Sequence, residues 1–201
     1  MYRRTTHHRL FPNCIPFMLS LLLGSEALAE DPPTAPRPFA RRGLLIGVAG
    51  GITLIHTTLP GQTEFKASFP NIKIGWMLNE RAALALYLPG SIYTFRGAGR
   101  QRDRGVEGIM PSFQYWLTDR WWVLGGAGLA LDAPAFYDVK DASEAVYYVG
   151  PGAVAATGFE FLRAWRFAMD VQFMVHGGYA YVAGGQRLGV GGNVMLGLNF
   201  Y

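Results

Sequence analysis

From residue 43 to residue 201 the side chains alternate with a period of two, and the alternation is clearest at the C-terminus. Leu188, Val190, Val194, Leu196, Leu198 and Phe200 share one face with Gly192, while Arg187, Asn193, Met195, Asn199 and Tyr201 share the other with three glycines. Successive side chains of a strand point to opposite faces, so this spacing predicts a strand with one apolar and one mixed face. Trp165 to Tyr181 repeats the pattern: Phe167, Met169, Val171, Phe173 and Val175 alternate with Arg166, Ala168, Asp170, Gln172, Met174 and His176. No stretch of comparable length follows the i, i+3, i+4, i+7 spacing of an amphipathic helix.

Turn residues divide the pattern into eight strands, near 43–55, 67–78, 82–96, 105–117, 121–132, 145–161, 165–181 and 187–201. Asn79-Glu80-Arg81, Thr118-Asp119-Arg120 and Leu162-Arg163-Ala164 are short breaks. His56 to Lys66, Gly97 to Arg104, Ala133 to Glu144 and Val182 to Gln186 are longer polar connections. An even number of antiparallel strands, with short turns at one end and longer loops at the other, is the layout of a membrane-spanning barrel. The predicted fold is all-β, an eight-stranded antiparallel up-and-down transmembrane β-barrel. Pro70, Pro89, Pro111 and Pro151 fall inside these strands. Each removes a ladder hydrogen bond, so bulges or local breaks are expected there.

Polarity separates two kinds of eight-stranded barrel. A soluble barrel turns its apolar face inward around a ligand, whereas a membrane barrel turns it outward. The mixed face carries Lys73, Gln114, Glu160, Arg166, Asp170, Gln172, Asn193 and Asn199 among many glycines. It is too poor in Lys and Glu to be a solvated exterior, so it is assigned to the lumen. Composition agrees: 16% of residues are charged and 50% hydrophobic, against about 25% charged in an ordinary soluble domain.

The first 29 residues stand apart. Arg3, Arg4 and Arg9 precede the apolar run Ile15 to Gly24, and Ala27-Leu28-Ala29 offers small residues at a cleavage site. This is the grammar of a secretory signal peptide. Cys14, the one cysteine of the chain, lies within it. Its removal would leave no thiol chemistry and would reduce the net charge to 15 basic against 13 acidic residues. A high pI is therefore no argument for nucleic-acid binding. Residues 30–42, rich in proline, read as an extended periplasmic linker without a face to bury.

Candidate chemistry follows from the strand assignment. Lys73 and Asp170 should lie at similar depth in the lumen, with Glu160 and Arg166 pairing nearer the short-turn end and Gln114 and Gln172 bridging. Such a network either gates small solutes or simply fills a barrel wide enough only for its own side chains. The five tryptophans, Trp76, Trp116, Trp121, Trp122 and Trp165, all lie near short turns. They are expected to form a periplasmic aromatic girdle, because amphipathic rings collect at membrane interfaces. Arg96, Arg100, Arg102 and Arg104 cluster in one outer connection. Arginine suits bidentate phosphate contact, so lipopolysaccharide is the candidate partner, with pairing to the acidic loop at Asp132, Asp138, Asp141 and Glu144 as the alternative. His56 and His176 have no carboxylate at ligand spacing, so neither a metal nor any other cofactor is expected. No Ser–His pairing is visible from spacing, which argues against a hydrolase.

The leader, the turn–loop alternation, the phrases MLNERAALAL and WLTDRWWVLG and the final NVMLGLNFY make residues 43–201 resemble the small eight-stranded outer-membrane proteins, the group of the OmpA membrane domain, OmpX and the OmpW-like proteins. The resemblance implies an outer-membrane location, a lipid and lipopolysaccharide environment, and insertion by the barrel-assembly machinery, which reads a C-terminal aromatic residue. Here the apolar face ends at Phe200, one residue early. A monomer with a structural, surface-interaction or narrow-passage role is expected. Passive transport of small apolar molecules, or lipid-A modification, are the alternatives that the resemblance supplies.

Overall fold

The computed structural model describes residues 39–59, 61–68, 70–97, 100–139, 146–182 and 185–201. The predicted signal peptide, most of the linker and the acidic positions Asp141 and Glu144 lie outside these residues. The described chain is almost wholly strand: β1 Leu44–Thr58, β2 Gly61–Ala67, β3 Asn71–Asn79, β4 Ala82–Leu88, β5 Gly90–Gly97, β6 Arg100–Trp116, β7 Trp121–Pro134, β8 Tyr148–Ala164, β9 Phe167–Val182 and β10 Gly185–Phe200. β2 and β3 are one strand interrupted before Asn71, and β4 and β5 are one strand interrupted at Pro89. The ten segments therefore make eight antiparallel strands, ordered β1-β3-β4-β6-β7-β8-β9-β10, with β10 pairing back onto β1 from Ile46↔Phe200 to Thr57↔Gly189.

Two of the four prolines break strands and two do not. Gly90 N–H, beside Pro89, donates to the Asn71 side chain at 2.9 Å, and Gly108 N–H donates to Pro89 O at 2.9 Å. Pro111 and Pro151 stay within β6 and β8. The β6–β7 ladder lapses between Ile109 and Ser112 and resumes in the same register, so the missing N–H of Pro111 costs local pairing only.

The outer connections differ from expectation. β1 and β2 pair as far as Thr58↔Gly61, β5 and β6 as far as Gly97↔Arg100, and β9 and β10 as far as Val182↔Gly185. Three segments read as polar loops are thus the polar tips of long hairpins. A strand that leaves the membrane loses its need for an apolar face but not its ladder. After β7 the chain leaves the ladder at Ala135 and makes a 3-10 turn at Phe136–Asp138.

Polarity is inside-out. Leu54, Leu196, Leu198, Phe167 and Phe173 face outward, 41–60% exposed. Lys73, Gln114, Glu160, Asp170, Gln172, His176, Asn193 and Asn199 face inward and are at most 3% exposed. The interior is packed rather than open, because Leu45, Met77, Met110, Met174 and Met195 fill the space between the polar groups. Close packing also demands glycine where a large side chain crosses the lumen. A Cβ on Gly158 would lie 2.4 Å from the Trp122 ring, and one on Gly197 would lie 2.2 Å from the Asp170 carboxylate. At the β8–β9 turn Trp165 adopts a φ of 54°, a left-handed conformation that strains a residue with a Cβ.

Candidate functional site

The buried polar side chains form three charged layers along the barrel axis. At the short-turn end Glu160 accepts four hydrogen bonds: from Arg41 Nη2 at 2.6 Å, Arg163 Nε at 2.8 Å, Trp116 Nε1 at 2.9 Å and Tyr201 Oη at 2.7 Å. Arg41 also donates to Asp119 O at 2.5 Å and lies over the rings of Trp116, Tyr201 and Phe39. A buried carboxylate costs several kcal/mol unless its lone pairs are met, and here the donors come from both ends of the described chain. The last residues of the predicted linker, Phe39 to Arg42, are therefore part of the barrel packing, with Phe39 against the core.

In the middle layer Lys73 Nζ donates to Gln114 Oε1 at 2.7 Å and stands 4.6 Å over the Trp122 ring. Asp170 accepts from Trp122 Nε1 at 2.9 Å, Gln172 Nε2 at 2.7 Å and Asn199 Nδ2 at 2.9 Å. Lys73 and Asp170 thus share Trp122 as a neighbour rather than joining directly.

The outer layer is centred on Asp132. It receives Arg104 Nε and Arg187 Nη1, each at 2.5 Å, and Tyr93 Oη at 2.8 Å. Arg104 also donates to the carbonyls of Asp132 and Val146, and Arg187 Nη1 to Tyr93 Oη at 2.9 Å. Outside this layer Tyr137 Oη donates to Asp103 at 3.2 Å. Burial and that carboxylate push its phenol above the ordinary range.

Four expectations need correction. Trp116 and Trp122 are 0% and 1% exposed and point into the lumen, so they leave the girdle; Trp76, Trp121 and Trp165 remain on the outside at 49–59%. Parity carried the signal, since Trp116 shares a face with Gln114, and adjacent Trp121 and Trp122 must diverge. Arg166 does not pair with Glu160; it donates to Arg42 O at 2.8 Å and lies over Phe200 at the rim. Its assigned place is taken by Arg41 and Arg163, and nothing in the sequence before β1 marks Arg41. Arg104 is buried in the outer layer and is withdrawn from the surface cluster. Its opposition to Tyr93 on β5 puts both inside, leaving Arg96, Arg100 and Arg102 on the hairpin tip.

The structure also brings together a pair that spacing did not reveal. Ser91 Oγ stands 2.8 Å from His176 Nε2, 2.9 Å from Thr53 Oγ1 and 3.2 Å from Asn193 Oδ1. All four residues are at most 1% exposed, and His176 Nδ1 has no partner among the described residues. A nucleophile needs a base held in orientation and a route for substrate. This cluster shows neither, and it reads as polar packing between β5 and the barrel wall.

No family model matches the chain, and no curated protein matches it in sequence. Solved structures do match in fold. Neisserial surface protein A (NspA) is 14% identical with a TM-score of 0.53, over 79% of this chain and 96% of that one. Ail, the attachment invasion locus protein of Yersinia pestis, is 12% identical with a TM-score of 0.50, over 79% of this chain and 98% of that one. With an apolar belt outside, charges inside and eight antiparallel strands between, this chain has the fold of the small eight-stranded outer-membrane β-barrels.

Proposed function

We propose that the chain is a non-conducting outer-membrane barrel that presents its outer hairpins for surface interaction. The observation that carries this reading is the filled lumen. Charged layers at Glu160, Asp170 and Asp132, with Trp116, Trp122, Met110, Met174 and Tyr93 between them, leave the largest inward side chains almost wholly buried. An eight-stranded barrel has room for its own side chains and little else, and here that room is used. Narrow passage would require several buried ion pairs to part together, each at a cost of several kcal/mol. The lumen network is accordingly structural, and no catalytic step is part of the reading.

Purified protein in planar bilayers is expected to show no steady conductance above the bare membrane. Steady unitary currents from the unaltered protein would refute the closed lumen.

The surface partner we favour is lipopolysaccharide phosphate, met by Arg96, Arg100 and Arg102 on the β5–β6 hairpin tip. Guanidinium groups match phosphate oxygens in a planar two-point contact. The double variant Arg96→Ala, Arg100→Ala should weaken lipopolysaccharide binding in detergent about tenfold or more, if each lost contact is worth about 1 kcal/mol. Binding unchanged in that variant would leave the cluster without this role.

A further inference from the structure

The short-turn rim carries a pair of arginines outside the lumen. Arg166 Nη2 donates to Arg42 O at 2.8 Å, and its guanidinium lies 4.8 Å over the Phe200 ring. Phe200 belongs to an aromatic cluster on the outside of the barrel, with Phe167 at 5.1 Å and Trp165 at 6.5 Å between ring centroids. Trp76 stands on the other side of Arg166. A Cβ on Gly43 would lie 3.7 Å from Arg166 Nη2 and 3.9 Å from the Trp76 ring, so both side chains border Gly43.

This cluster is rich in donors without acceptors. Trp116, Trp121 and Trp122 donate their indole N–H groups to Glu160, Thr157 and Asp170. Among the described residues, those of Trp76 and Trp165 meet no acceptor, and the two rings are 59% and 49% exposed. Arg42 has Glu80 at 3.6 Å, but these side chains are 77% and 71% exposed, and so open a pair holds weakly.

Next to the cluster, toward the membrane core, the apolar belt has a gap. Ile46 pairs with Phe200, Val48 with Leu198 and Gly50 with Leu196, while Leu198 also pairs with Met169. A Cβ on Gly50 would meet nothing within 4 Å. Val48, Leu196, Leu198, Met169 and Pro70 border an apolar groove of about 350 Å³ at this glycine. Gly50 is four residues from Ile46, about 13 Å along the strand.

We propose that this face is a site for one anionic glycerophospholipid of the periplasmic leaflet. Arg166 and Arg42 hold its phosphate, and one acyl chain lies in the groove at Gly50. The short turns of such barrels face the periplasm. Interfacial tryptophans mark the level of the headgroups, which puts Arg166 at the depth of the phosphates. A guanidinium meets phosphate oxygens in a planar two-point contact, and the two indole N–H groups supply further donors. Two arginines disfavour a headgroup that carries its own ammonium, so phosphatidylglycerol fits better than phosphatidylethanolamine. The site lies at the opposite end of the barrel from Arg96, Arg100 and Arg102, and it depends neither on lipopolysaccharide binding nor on a closed lumen.

The test is native mass spectrometry of the full chain, folded in detergent and incubated with equimolar phosphatidylglycerol and phosphatidylethanolamine. Folding of each variant is checked by heat-modifiable gel mobility. One phosphatidylglycerol should stay bound per chain, severalfold more often than phosphatidylethanolamine. Arg166→Ala should lower its retention severalfold. Gly50→Leu, which fills the groove from a position where a Cβ is unopposed, should do the same and leaves the arginines in place. Arg120→Ala, at the β6–β7 turn, should retain the lipid like the parent. Equal retention of the two lipids, or parent-like retention in Arg166→Ala or in Gly50→Leu, would overturn the proposal. A loss in Arg120→Ala as large as that in Arg166→Ala would overturn it too, by showing diffuse charge attraction in place of a site.

Discussion

Replacing Glu160 with alanine is expected to destabilise the barrel by about 3–5 kcal/mol, the cost of leaving a buried cation without its partner. Glu160 is fully buried, and Arg41, Arg163, Trp116 and Tyr201 all donate to it. Arg41 would keep two main-chain acceptors, the carbonyls of Asp119 and Glu80, and the faces of three aromatic rings. These do not replace a carboxylate. Urea titration in detergent, read by the shift between folded and unfolded gel mobility, measures the loss. Glu160→Gln should recover part of it, since an amide oxygen still accepts from Trp116 or Tyr201 but carries no charge for the two arginines. A Glu160→Ala midpoint equal to that of the unaltered protein would show that the short-turn layer contributes nothing.

Replacing Asp132 with alanine is expected to loosen the outer layer by a comparable amount and to free the inward-turned hairpin. Arg104 and Arg187 both lose their carboxylate, and Tyr93 loses the acceptor that holds β5 toward the axis. Two guanidinium groups would then face each other over a small buried side chain, which like-charge repulsion and desolvation both oppose. Trypsin reads the consequence. Cleavage after Arg104, blocked in the folded protein by burial, should appear in the folded Asp132→Ala variant. Resistance equal to the parent would mean that the ladder with β6 and the contacts of Ser91 and Thr94 hold β5 without the Asp132 layer.

Particular residues show how far the sequence could be read. The apolar faces of β1, β9 and β10 were legible because alternation is a property of each strand by itself. Leu196 and Leu198 face lipid for the same reason that Met195 and Asn199 face the lumen. Asp170 was legible as a lumen residue on the same ground. Nearness to a turn points Trp116 and Trp122 to the girdle, but parity, counted from Gln114 and from Trp121, puts both inside. Composition alone suggests loops at 56–66, 97–104 and 182–186, because polarity changes there while the hairpin ladders continue.

Other features were beyond local reading. Arg41 and Glu160 are 119 residues apart, and Tyr93 and Arg187 are 94 apart. Which residues share a level inside a closed sheet depends on stagger and tilt, and those are set when the last strand meets the first. The inward fold of β5 has the same origin. The prolines announced a break, but not that β2 would meet β5 through the side chains of Gln62, Glu64 and Lys66.

By itself, then, the sequence determined the number of strands, the face each residue takes within its strand, and a lipid-facing exterior, because backbone pleating makes these depend on neighbours in the chain. Only the tertiary structure decided that Arg41 meets Glu160, that Asp132 gathers two arginines, and that Ser91 meets His176. Each of these joins residues whose separation is fixed by closure of the whole sheet.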